Sequence, residues 1–116
     1  MQETLRTKRV AELIRQEVSN VIRDSVHDPK VKDVVITVVK VSVDLDLARI
    51  YWTTYNTDNV KGIQAGLERS AGFIRKEILK SVCLKKVPKL EFVIDDSRQE
   101  ADRIDNLLSL IEKENH

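Results

Sequence analysis

The chain has 116 residues, 41% of them hydrophobic and 34% charged, with three glycines and two prolines. That composition excludes collagen-like, linker-like and proline-rich disordered chains and fits one small folded domain spanning residues 1–116. The single cysteine, Cys83, excludes an internal disulfide framework and a cysteine-rich zinc site. The formal net charge is only +1, but it is segregated: residues 61–89 carry eight Lys/Arg against two Asp/Glu, and residues 90–116 carry three against eight.

No apolar stretch approaches the roughly 20 residues needed to cross a bilayer. The start Met1-Gln2-Glu3-Thr4 lacks the apolar block of a signal peptide, so a cytoplasmic location is expected.

Residues 7–24 place Val10, Leu13, Ile14, Val18, Val21 and Ile22 at helical spacing, and Asp28-Pro29 closes that helix. The β-branched run Val34–Val43 predicts a strand, and Ala48–Tyr55 predicts a second. The short Asp44-Leu45-Asp46 connection makes the two an antiparallel hairpin.

Residues 59–69 predict a helix with Val60, Ile63 and Leu67 on one side. Ser70-Ala71-Gly72 is expected to interrupt it, and Phe73, Ile74, Ile78, Leu79 and Val82 resume a helical stripe. Leu90, Phe92 and Ile94 alternate with polar neighbours as a third, half-buried strand. Ser97-Arg98-Gln99-Glu100 reads as a capping box ahead of a last helix bearing Ile104, Leu107, Leu108 and Ile111. The predicted architecture is α+β, a three-stranded sheet with helices in the order α-β-β-α-kink-α-β-α.

Catalytic chemistry finds little support. His27 and His116 lack partners at metal-ligand spacing, and Gly62, Gly66 and Gly72 do not form a phosphate loop. Asp44 and Asp46 fit a turn, and Asp95 and Asp96 fit the approach to a helix. No catalytic residue, metal, cofactor or small-molecule substrate is expected, and a binding module is the better class.

The strongest constellation is Ser70-Ala71-Gly72 followed by Arg75, Lys76, Lys80, Lys85, Lys86 and Lys89. A helix starting near Gly72 would offer exposed N–H groups to an anion, and the cations beyond it would neutralise phosphates. Arg6, Lys8 and Arg9 extend that surface if the first helix packs beside it. The competing explanation is that Ser70-Ala71-Gly72 is only a helix–helix elbow. Tyr51 and Tyr55 are the aromatics that could stack a base from a sheet face, but such residues are more often cross-strand packing partners, and base-specific stacking is not expected.

Several short motifs then fall in a specific order. They are Arg9-Val10, Asp28-Pro29-Lys30-Val31, Thr37, Val41-Ser42, Asp44-Leu45 and Ala48-Arg49-Ile50-Tyr51. They continue through Gly72-Phe73-Ile74-Arg75, Leu84-Lys85, Pro88, Leu90 with Phe92, Asp95 with Ser97, and Ile104 with Leu107-Leu108. Together, from about Arg6 to Ile111, they resemble the bacterial ribosome-binding factor A family. The resemblance implies a type-II KH-like fold in which an Ala-x-Gly kink replaces the GxxG loop. It also implies a monomer that binds the 30S ribosomal subunit and 16S rRNA and assists maturation of that RNA, with a link to growth in the cold. Ser70 stands where the family has alanine, and Trp52 where it has a smaller apolar residue. The alternative is a protein-interaction module docking a basic partner through the acidic last helix, with Asp102, Asp105 and Glu112.

Overall fold

The structure is a computed structural model that describes residues 3–55, 57–81 and 86–95. The expected last helix, its Ser97–Glu100 cap and Asp102, Asp105 and Glu112 lie outside the described residues, as do Cys83 and Lys85.

Helix α1 runs Leu5–Asp24 and begins two residues before the apolar stripe suggests. Its start is set by Thr4 and Thr7. The Thr4 hydroxyl accepts from the Thr7 amide at 3.1 Å, and the Thr7 hydroxyl accepts from the Thr4 amide at 2.8 Å. This reciprocal cap satisfies two amides that the helix itself cannot. The helix ends at Asp24, before Pro29, which instead opens a short 3-10 turn, Pro29–Val31, capped by the Asp28 carboxylate.

Strands β1 (Val34–Val41) and β2 (Leu47–Thr54) form the expected antiparallel hairpin. Ser42 builds the connection. Its hydroxyl donates to Asp44 at 2.7 Å and accepts from the amides of Asp46 and Leu47. Leu45 takes a left-handed conformation there, with φ of 62°. Strand β3 (Lys89–Ile94) pairs with β2 in parallel, giving the order β1-β2-β3. A parallel partner needs a crossover, and α2 supplies it.

That helix is the main departure from expectation. α2 is one continuous helix, Val60–Ser81, and Ser70-Ala71-Gly72 lies within it instead of separating two helices. The reason is in the packing. Ile63, Leu67, Ile74 and Ile78 keep the same helical phase across the triplet, and all four are buried. Burying that unbroken stripe outweighs the roughly 1 kcal/mol that one mid-helix glycine costs.

Both helices cover one face of the sheet. Ala48, Ile50, Trp52 and Thr54 of β2 point into it and are buried. In β1 the register slips between Ile36 and Val38, so Ile36, Val39 and Val41 all face the core. That bulge shifts the strand's inward phase, while Val35 and Val38 of the same β-branched run stay exposed. Trp52 is wholly buried, and its indole N–H donates to Gln64 Oε1 at 2.7 Å. The Gln64 amide donates in turn to the Phe92 carbonyl at 2.7 Å. The larger ring is thus accommodated by a polar partner on α2.

Candidate nucleic-acid interface

α2 positions the site, because its inner side is spent on the core and its outer side faces solvent. Residues four and three apart share a helix side. By that rule Arg69, Gly72, Phe73, Lys76 and Lys80 form one outer strip, and all five are exposed. The strip is only weakly neutralised. Arg69 meets Asp28 at 3.5 Å and Lys80 meets Glu77 at 3.2 Å, with both cations largely in solvent. Lys76 has no ion partner among the described residues.

The three glycines differ in what surrounds them. A side chain at Gly62 would collide with Asn59, and one at Gly66 would press on Asp28 and Val31. Among the described residues, a Cβ at Gly72 would meet nothing within 4 Å. Bare backbone therefore sits in the open at the middle of the cationic strip. Ser70 and Ala71 are half-buried on the inward side, with Ala71 packed against the core. The expected anion site at a helix N-terminus is absent, because the Gly72 amide lies inside a continuous helix.

Arg75 is engaged in the fold. Its Nη2 donates to the Val87 carbonyl at 2.8 Å, and its Nε lies 3.3 Å from the Pro88 carbonyl. This clamp draws residues 86–89 alongside the turn that carries Lys76. Lys86 there pairs with Asp46 of the hairpin connection. Lys89 opens β3 with an exposed side chain, and its amide donates to the Asp46 carbonyl at 2.9 Å.

Arg6, Lys8 and Arg9 are exposed on the first turns of α1. The contacts Ser81–Glu17 and Arg69–Asp28 set α1 antiparallel to α2. Arg9 therefore lies about 12 Å beyond Glu17 along the helix axis, past the last described turn of α2. These three cations border the strip at its end and do not lie beside it.

The sheet's uncovered face offers less. Tyr51 sits between Val38 and Val93, with Lys40 Nζ 6.0 Å from its ring centre, and Arg49 pairs with Glu91 at 3.3 Å. Tyr51 is thus a cross-strand packing residue. An apolar groove of about 460 Å³ runs between Val60, Gln64 and Ala65 of α2 and Phe92 and Ile94 of β3. Among the described residues no cluster of His, Cys, Asp and Glu is arranged to hold a metal, and no helix is long and apolar enough to cross a membrane.

The sequence reading passes over Arg69 and assigns Phe73 and Leu79 to the buried stripe. The structure instead turns both outward, 44% and 47% exposed, because only Ile74 and Ile78 of that group share the phase of Ile63 and Leu67. The signal was present in the spacing 69, 72/73, 76 and 80, but it appears only when the helix is counted straight through the triplet.

Residues 6–108 match the ribosome-binding factor A family. The chain belongs to that family. Ribosome-binding factor A of Streptococcus mutans is 39% identical over 113 residues, covering 95% of this chain and 97% of the relative. The crystal structure of ribosome-binding factor A from Thermus thermophilus superposes with a TM-score of 0.68 at 17% identity, over 76% of this chain and 94% of that one. A Thermus thermophilus ribosome-binding factor A fitted into a cryo-EM map of a complex with the 30S subunit superposes with a TM-score of 0.60 at 16% identity. That match covers 82% of this chain and 97% of the other. This member of the ribosome-binding factor A family thus shares its α+β architecture with solved relatives.

Proposed function

We propose that this chain is a noncatalytic, cytoplasmic assembly factor, a monomer of one RNA-binding domain, that binds 16S rRNA in the free 30S subunit and assists its maturation. The observation that carries this reading is the outer strip of α2. Arg69, Lys76 and Lys80 flank an exposed Gly72 whose outward side no described residue covers within 4 Å. Family membership supports it, as does the Thermus relative placed on the 30S subunit.

The mechanism is preferential binding. Cations on a rigid helix hold phosphates of one RNA conformation, and that conformation gains population in proportion to its tighter binding. Bare backbone at Gly72 lets the RNA chain approach the helix closely. Lys89, and Lys86 when released from Asp46, extend the contact toward β3; Lys85 is proposed to join them. Arg6, Lys8 and Arg9 catch the strand at the end of α1. Arg75 holds the segment carrying Lys86 and Lys89 in place.

The test is sedimentation of the protein with purified 30S subunits over a salt series. Log affinity falls with log salt by about 0.7–0.9 per phosphate neutralised. The pair Lys76→Glu and Lys80→Glu is expected to weaken binding and to flatten that slope by about 1.4–1.8. Should that pair leave binding intact while Asp102→Lys with Asp105→Lys abolishes it, the acidic docking model replaces this one.

A further inference from the structure

The geometry points to Phe73 as a stacking platform for one unpaired nucleobase of the bound RNA, a role that rests on the RNA-binding reading above. Phe73 is 44% exposed although it sits on a helix whose inner side is fully packed. A single exposed apolar residue is ordinary. The surroundings of this one are not. Arg69 lies four residues before it, Lys76 three after and Lys80 seven after, all on the same side of α2. Gly72 next to it carries no side chain, and a Cβ there would meet nothing within 4 Å among the described residues.

The ligand must therefore present a flat apolar surface with negative charge on either side. A protein partner would combine these only by arrangement, whereas single-stranded RNA carries both in every nucleotide. Arg69 and Lys76 are about 10.5 Å apart along the axis, with the ring between them. One base on Phe73 thus leaves its flanking phosphates near the two cations. In the pairs Arg69–Asp28 and Lys80–Glu77 the cations are largely in solvent, so each can turn from its half-buried carboxylate toward a phosphate. The two tyrosine rings fit worse. Tyr51 is held between strands under Lys40, and Tyr55 lies at the end of β2, away from this strip.

The experiment uses the full chain and three probes: a 12-nucleotide single-stranded RNA, the same RNA in a duplex, and inorganic polyphosphate. Phe73→Trp places an exposed indole beside the ring-flanking cations, while the native Trp52 is wholly buried. Its fluorescence is expected to be quenched by the single strand and not by polyphosphate or duplex. Phe73→Ala is expected to lower single-strand affinity about 5- to 150-fold, the scale of losing one stacked base. Phe73→Tyr restores it and Phe73→Leu, which keeps the bulk without the ring, does not. Polyphosphate affinity and the salt slope stay unchanged. Stacking is overturned if Phe73→Ala binds the single strand like the wild type, or loses RNA and polyphosphate by the same factor. If the wild type shows no salt-dependent RNA binding, the broader RNA reading falls and stacking falls with it.

Discussion

The indole N–H of Trp52 donates to Gln64 across the β2–α2 interface at 2.7 Å, and Gln64 passes the connection on to the Phe92 carbonyl in β3. One side chain thus joins the central strand, the crossover helix and the edge strand. Replacing Gln64→Leu leaves a buried donor unpaired, an expected loss of about 1–3 kcal/mol in urea denaturation. Adding Trp52→Phe removes the stranded donor. The double variant should lose less stability than the two single losses added together. Additive losses would show that the two residues are independent.

Gly72→Ala should stabilise the protein. The position is helical and open, so a methyl group gains helix propensity without a clash, about 0.5–1 kcal/mol. Thermal melting should therefore shift upward by a few degrees while 30S binding weakens. A variant that is both more stable and an equally good binder would show that the bare backbone has no ligand to meet.

Arg75→Gln separates architecture from charge. Losing the bonds to the Val87 and Pro88 carbonyls is expected to cost about 1–2 kcal/mol. Lys76→Gln, by contrast, should leave stability within about 0.5 kcal/mol and reduce the salt slope by about one phosphate. Melting curves alongside a salt titration distinguish the two.

Asp46→Asn releases Lys86. An exposed ion pair is worth about 0–1 kcal/mol, so the fold should hardly change. RNA affinity should rise by roughly twofold to fivefold at low salt, the scale of one such pair. An unchanged affinity would place Lys86 outside the interface.

The acid limb of stability should include Glu12 and Asp24. A hydrogen bond from Arg15 holds the Glu12 carboxyl below its usual value, and Arg23 does the same for Asp24. An acid with a lowered folded value contributes stability above its unfolded value and loses it as pH falls through the folded one. Both carboxylates are exposed and screened by solvent, so Glu12→Gln with Asp24→Asn should only slightly flatten the fall of melting temperature as pH drops below the ordinary carboxylate range, leaving acid unfolding at other carboxylates in place.

Much of this fold was legible along the chain. The α1 stripe through Ile14, Val18, Val21 and Ile22 and the tight connection around Asp44-Leu45-Asp46 are local patterns, and local patterns survive in sequence. What escaped was non-local. The parallel pairing of β3 with β2, and the reach of Arg75 to Val87, depend on where α2 returns the chain. The Ile36–Val38 bulge hid the true facing of β1 because it changes the strand's phase midway. The triplet at 70–72 misled for the opposite reason. Its local signal is a real propensity cost, overruled by the stripe from Ile63 to Ile78. Because the helix was read as broken, Arg69 was separated from Lys76 and their common side stayed hidden.

Because α2 turns one side wholly inward and the other wholly outward, fold and recognition are written on separate alphabets of the same helix. Ile63, Leu67, Ile74 and Ile78 answer to the sheet, while Arg69, Phe73, Lys76 and Lys80 answer to whatever lies outside. Drift in the second set leaves the first untouched. The outward residues are therefore free to change one at a time with no repacking to repair.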